Sequence, residues 1–262
     1  MTRVRTTSFQ KRKQAGEKLT MLTAYDYPTA RILDATDIDA ILVGDSVGTT
    51  VQGHADCLGV TMDMMIYHTK LVSSAVNRAL VIGDMPFMSY QTNPEEALRN
   101  AGRFVAEGGA QAIKLEGGVH LFGDTIKAIL RAGIPVMGHI GLTPQSINQL
   151  GGYKVQGRGD EAARNLREQA LGLQAAGCFA VVLELVQADV ARTISEVLTI
   201  PTIGIGSGAG CDGQVLVTHD LLGIGESPKF VKRYCHFEEE MSRAFNEYIA
   251  DVKSGAYPAE EH

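Results

Sequence analysis

With 262 residues, 45% hydrophobic and 21% charged, the chain has the make-up of a globular protein, excludes a disordered one, and lies near the roughly 250 residues of a (β/α)8 barrel. A net charge of −6 argues against a nucleic-acid partner, because binding a phosphate backbone draws on a basic patch; small molecules are the expected partners. The opening stretch MTRVRTTSFQKRKQAGEKL lacks the apolar core of a signal peptide and no later run is long enough to span a bilayer, so a cytoplasmic protein without membrane contact is expected.

Taken in chain order, short runs rich in Val, Ile and Leu alternate with longer amphipathic stretches. Buried parallel strands read this way because helices cover them. LTMLTAY (19–25) opens the series, followed by a helical segment at 28–36 and the strand AILVGD (40–45). A helix at 62–77 leads to LVIGD (80–84). Asn93-Pro94-Glu95-Glu96 then sets an N-cap, a first-turn proline and two acids ahead of a helix at 94–107, which Gly108-Gly109 stops. AIKLEGG (112–118), a helix at 119–132, IPVMGHIGL (134–142), a helix at 160–176 and FAVVLEL (179–185) continue the alternation. A helix at 187–198 and the strands IPTIGIGSG (200–208) and QVLVTHD (214–220) complete it, with a polar amphipathic helix near 236–253 beyond.

Eight such strands match a (β/α)8 TIM barrel, and with no linker or low-complexity tract the expectation is one catalytic domain over 1–262. A doubly wound sheet is the alternative, weakened by the missing Gly-rich turn after the first strand. GIGSGAGCDG (204–213) is not GxGxxG opening a helix, so it reads as a tight loop and not a nucleotide site. GGYKVQGRGD (151–160) reads as an active-site loop. Cys57, Cys178, Cys211 and Cys235 show no CxxC spacing and read as reduced packing thiols.

In a TIM barrel the chemistry sits where the strands run out, and here those ends are polar. Asp26 follows the first strand, Asp45 and Ser46 the second, Asp84 the third, Glu116 the fourth, His139 the fifth, Glu184 the sixth and Asp220 the eighth. A lone strand-end Asp is often only an N-cap. Carboxylates converging on one mouth repel each other, however, and a divalent cation is the usual neutraliser; all-oxygen ligation suits Mg2+. Lys114 shares the inward face of Glu116, two residues on, and a lysine within an apolar strand calls for an acid or an anionic substrate. Glu184 follows an apolar run, a setting suited to a general base or, blandly, to a structural ion pair. His139 reads either as a site residue or as a satisfied polar residue.

These segments resemble the ketopantoate hydroxymethyltransferase family. The carriers are TAYDYPTA (23–30), LVGDSVGTTVQGH (42–54), YHTKLV (67–72), GDMPFMSY (83–90), AIKLEGG (112–118), GHIGLTPQSINQLGGYKVQGRGDEA (138–162), LELV (183–186), PTIGIGSG (201–208), CDGQVLVTHD (211–220) and PKFVKRY (228–234). Departures are Cys57-Leu58-Gly59, where Thr-Leu-Pro is common, and Ser207, where Ala is frequent. The resemblance implies transfer of a one-carbon unit from 5,10-methylenetetrahydrofolate to 3-methyl-2-oxobutanoate, giving 2-dehydropantoate on the route to pantothenate and coenzyme A. By the same carry-over one Mg2+ per subunit lies near Asp45, Asp84 and Glu116, while Asp45, Ser46, Asp84, Lys114 and His139 meet the keto acid and Glu184 accepts the proton. It also implies a homo-oligomer, a decamer being one form open to it, and leaves the folate contacts unassigned. A metal-dependent 2-oxo acid lyase or aldolase, and a silent keto-acid-binding barrel, stand as rivals.

Overall fold

Eight parallel strands close on themselves in chain order in a computed structural model that describes residues 3–260. They are β1 (Leu19–Thr23), β2 (Ala40–Val43), β3 (Leu80–Asp84), β4 (Ala112–Glu116), β5 (Val136–Gly141), β6 (Ala180–Glu184), β7 (Thr202–Ile205) and β8 (Gly213–Leu216). The helices of the outer layer are α2 (Tyr27–Asp34), α4 (Met62–Ala75), α5 (Pro94–Ala106), α6 (Val119–Arg131), α8 (Asp160–Ala176) and α9 (Ala188–Val197). Each expected strand and each longer helix is present. The chain divides into two compact units, one ending at Val215 and the other starting at Leu216.

Side-chain parity splits the apolar residues into two cores. Leu19, Met21, Ala40, Leu42, Leu80, Ile82, Ala112, Met137, Ala180, Val182, Ile203 and Val215 fill the barrel. Their odd neighbours, among them Val81, Ile113, Leu115, Val181 and Leu183, face outward into the helix layer with Phe104, Ile126, Leu173 and Ile194. Continuing the inner parity toward the strand ends brings Asp84, Lys114, Glu116, His139 and Glu184 onto the inward face. The apolar layers therefore form a packed plug beneath a polar mouth.

The floor of the barrel comes from a helix that the sequence reading passed over, α1 (Thr6–Ala15). It has one apolar anchor and no amphipathic period, so hydrophobic patterning gives no sign of it. Phe9, 1% exposed, joins the inner core and meets Phe179 edge-on at 5.4 Å. The basic residues around it are straps. Arg12 pairs with buried Asp39 at 2.7 Å, Lys13 with Asp212 at 2.8 Å, and Lys18 donates to the Cys211 carbonyl at 2.6 Å.

Three short helices were also unanticipated: α3 (Val47–Thr50), α7 (Ile147–Leu150) and α10 (Thr218–Leu222). The last corrects the eighth strand, expected to run to Asp220. It stops at Leu216, and Thr218 to Leu222 coil into a helix that Gly223 closes at φ 73°. In the second unit α11 (Phe237–Ser254) carries Glu238, Glu239 and Glu240 in its first turn, where the helix dipole favours acids. Phe237, Met241, Phe245, Tyr248, Ile249 and Val252 leave an exposed apolar stripe along it.

Removal of the floor anchor by Phe9→Ala is expected to lower stability by about 3–5 kcal/mol. Urea unfolding followed by circular dichroism checks this, with the folded fraction retaining its wild-type site.

Candidate active site

Strand register builds the site in rows. Asp84 of β3 stands opposite Lys114 of β4, and Glu116 of β4 opposite His139 of β5. Lys114 Nζ donates to Asp84 Oδ1 at 2.6 Å and lies 4.0 Å from Glu116 Oε1. His139 bridges two carboxylates, with Nδ1 3.5 Å from Glu116 Oε1 and Nε2 3.4 Å from Glu184 Oε2. These separations are long for charge-assisted hydrogen bonds and neither ring nitrogen has a bonded partner, so the contact is ionic and not a formed hydrogen-bond pair. Asp45, just past β2, aims its backbone N–H at Asp84 Oδ2 (3.3 Å) and accepts from the Gln145 amide at 2.9 Å.

Asp45, Asp84, Lys114, Glu116 and His139 are buried, and Glu184 keeps 18% of its side chain open at the mouth. Burial pushes the Asp45 carboxyl up, and the neighbouring Glu116 charge pushes it further. Burial likewise lifts Asp84 to about 6 against the pull of Lys114. Burial works against the Lys114 ammonium too, but Asp84, Glu116 and Asp45 outweigh it and the net shift is upward. For His139, burial and Lys114 favour the neutral ring, yet Glu116 and Glu184 carry the net shift up to about 9. The mouth is thus short of positive charge when its acids are ionised.

Three oxygen-donor side chains from three strand ends, Asp45, Asp84 and Glu116, have the chemistry and the charge deficit that fit a hard divalent cation. Among the described residues no three His, Cys, Asp or Glu side chains are yet gathered tightly enough to hold one. Each of the three carboxylates already has an oxygen engaged, by Gln145, Lys114 or a backbone N–H.

Backbone geometry aims Glu184. The next residue, Leu185, sits at φ 46°, a left-handed conformation that is unfavourable for Leu, and Gly141 at φ 99° brings β5 against it. A Cβ on Gly141 would fall 2.3 Å from the Glu184 carbonyl oxygen. Ser207 closes the bend, its hydroxyl donating to the Leu183 carbonyl at 2.7 Å and accepting from Val186 N–H at 2.9 Å. The loop 151–159 reaches this point: Gln156 N–H donates to the Leu185 carbonyl at 2.7 Å and Gln187 N–H to the Gln156 carbonyl at 3.0 Å. Ser46 lies at the rim, its hydroxyl 2.8 Å from the Tyr25 hydroxyl. Asp26 stays outside the cluster, capping α2 by accepting from Thr29 N–H at 2.8 Å, and Asp220 is not a strand-end residue but lies on α10 in the second unit.

The profile of the family described as Ketopantoate hydroxymethyltransferase matches residues 3–260. A 3-methyl-2-oxobutanoate hydroxymethyltransferase of Geobacter sulfurreducens is 58% identical over 255 residues, covering 97% of this chain and 95% of its own. One of Pelobacter propionicus is 56% identical over 254 residues, covering 96% and 94%. The chain belongs to the ketopantoate hydroxymethyltransferase family. Like those relatives it is an enzyme, a hydroxymethyltransferase. The fold extends to more distant proteins, among them a phosphoenolpyruvate phosphomutase from Streptomyces platensis (TM-score 0.64, 17% identity, covering 95% of this chain and 88% of that one). A 2,3-dimethylmalate lyase, described as a PEP mutase/isocitrate lyase superfamily member, gives a TM-score of 0.61 at 16% identity, covering 97% and 89%.

Three residues of this hydroxymethyltransferase mouth escaped the sequence reading. Gln145, in a 3-10 turn, and Tyr90, in a loop, fall outside the strand-end rule, although both lie in segments that carry the family resemblance. Cys57, one of four free cysteines, was expected only to pack; it is buried, with Asp45 close enough to bear on its thiol. Burial, with the Asp45 charge next, pushes that thiol far up, so it stays protonated.

The His139 shift makes a prediction with a definite sign. A histidine whose folded value is raised from 6.5 to about 9 contributes stability that is fully present below about 6.5 and lost as pH rises through 9. The stability difference between wild type and His139→Gln, measured by urea unfolding of metal-free protein, is expected to shrink across that window by on the order of 3 kcal/mol.

Proposed function

We propose that this enzyme transfers a hydroxymethyl group from 5,10-methylenetetrahydrofolate to 3-methyl-2-oxobutanoate, forming 2-dehydropantoate for pantothenate and coenzyme A synthesis. The observation that carries the reading is a buried lysine–carboxylate cluster at the C-terminal end of a barrel in a chain of this family.

In this proposal Asp45, Asp84 and Glu116 hold one Mg2+, which when bound supplies Lewis-acid polarisation of the keto carbonyl. The chain's own groups do the rest. Glu184, open to the mouth and directed by the Leu185 bend, accepts the C3 proton; general-base help of this kind is worth about 10²–10⁴-fold. Charge then builds on the keto oxygen of the substrate. Lys114, fixed by Asp84 and kept protonated, offsets it without having to reorganise, which is where a preorganised site gains most. Asp45 and Asp84 line the same pocket, and Ser46 at its rim and His139 within it have hydrogen-bonding groups for the keto acid and for the new hydroxymethyl group. Both carbon–nitrogen bonds of the folate methylene break: one is replaced by the bond to substrate C3 and the other by the bond to a water oxygen. The two nitrogens leave as the N–H groups of tetrahydrofolate, taking up the proton from C3 and one from water. The loop 151–159, pinned beside Glu184, is the segment best placed to exclude bulk water during these steps.

The exposed apolar stripe of α11 supports a homo-oligomer, with a decamer among the forms it can take. Four free cysteines support a cytoplasmic setting. Among the described residues no helix is long and apolar enough to cross a membrane.

Incubation with 3-methyl-2-oxobutanoate, methylenetetrahydrofolate and Mg2+ is expected to give 2-dehydropantoate by mass spectrometry. Cleavage of another 2-oxo acid without that product would overturn the proposal in favour of a lyase. Without folate, the enzyme is expected to exchange the substrate C3 hydrogen in D2O, followed by proton NMR, and Glu184→Gln to lower the exchange rate by at least about 10²-fold.

A further inference from the structure

We propose that Gln145 is the positioning residue that holds Asp45 and Glu116 in register for a metal ion; this rests on the metal-dependent reading above. Gln145 is the buried residue of a one-turn 3-10 helix, Pro144–Ser146, in the loop after β5, and it reaches three other strand ends. Its backbone N–H donates to Glu116 Oε2 at 3.0 Å. Its side-chain amide donates to Asp45 Oδ2 and to the Met85 carbonyl, both at 2.9 Å. Its Oε1 accepts from the Tyr90 hydroxyl at 2.8 Å and from the Gln91 amide at 2.9 Å. Two amide protons and two lone pairs are therefore all in use, which is the full capacity of the group.

The direction of the amide is fixed by its surroundings. A flip would set Oε1 against a carboxylate and a carbonyl, neither able to donate, and would leave its NH2 facing the Gln91 amide. Tyr90 is locked in turn. Its oxygen accepts from Glu116 N–H at 3.1 Å, and its ring meets Phe122 edge-on at 5.2 Å. Phe122 sits at a break in α6, at φ −125°, and it fits only because Gly117 has no side chain: a Cβ there would lie 2.6 Å from the ring.

What this achieves is electrostatic. Asp45 and Glu116, both tied to Gln145, carry like charges when ionised and repel, so left free they would rotate apart. Gln145 donates an N–H to one oxygen of each, so both carboxylates are tied to one residue at no cost in added charge. A lysine in the same place would compete with the cation; a neutral donor does not.

Mn2+ is the probe, titrated by electron paramagnetic resonance into wild type, Gln145→Met and Tyr90→Phe, with thermal melts reporting folding. Met is similar in length to Gln but lacks its side-chain N–H groups, so the bond to Asp45 is lost while the backbone N–H to Glu116 is kept. The expected result is a Mn2+ affinity about 10–100-fold weaker in Gln145→Met. Tyr90→Phe should weaken it less, since Gln91 still holds Oε1. Activity of both should recover as Mn2+ is raised, which a loss of folded protein would not do. Wild-type affinity in a folded Gln145→Met overturns this inference alone. If Gln145→Met does not fold, Tyr90→Phe decides, and unchanged affinity there overturns it. A wild-type protein that binds no Mn2+ overturns the metal-dependent reading and this inference with it.

Discussion

Lys114 and Asp84 meet at 2.6 Å in the interior of a closed barrel, and much of the mouth is arranged around that contact. A buried ion pair is a weak source of net stability, because desolvation offsets most of the attraction, while loss of either partner leaves a charge with nowhere to go. Here the lysine also faces Glu116 and, at longer range, Asp45. Burial, reinforced by the repulsion among acids that one cation does not cancel, leaves raised carboxyl values at Asp45 and Asp84, and the acids beside His139 raise its imidazole against burial. Such clustering of perturbed groups in one mouth marks a place built for charge that arrives from outside. In the proposed reaction the keto acid would bring negative charge and the divalent ion positive charge, and a pocket holding both signs in reserve suits that pair.

Two kinds of scaffolding hold this arrangement. Strand register sets Asp84 beside Lys114 and Glu116 beside His139, a feature of the sheet alone. Loops set the rest: the 3-10 turn that bears Gln145, the Ser207 hydroxyl that closes the bend after Glu184, and the Gln156 bridge to Val186. The strained φ of Leu185 is held in place by these contacts, as expected of strain that the surrounding structure over-determines.

The division between sheet and loop is also the division between what could and could not be read from the sequence. Alternation of apolar runs with amphipathic segments gave all eight strands and the long helices, because burial on both faces imposes that pattern on any parallel barrel strand. The same parity argument turned Lys114 and Glu116 inward together. Asp220 went wrong where the apolar run continued past the last ladder partner, since hydrophobicity marks burial and not pairing. Asp26 satisfied the strand-end rule while serving only as a cap, because one residue type suits both tasks. Gln145 was invisible for a different reason. Its value lies in a partner 100 positions away, and no local period encodes that distance.

The helix beneath the barrel has a consequence of its own. Phe9 and its flanking Arg12 and Lys13 close the end opposite the acids, with the whole apolar plug of Leu19, Leu80, Ala112 and Ala180 between. Burden and chemistry are thereby housed at opposite poles of one cylinder. Redesign of the lower pole can alter how long the enzyme survives heat or denaturant while the charges above keep their balance, and a library aimed at durability belongs there, not at the mouth.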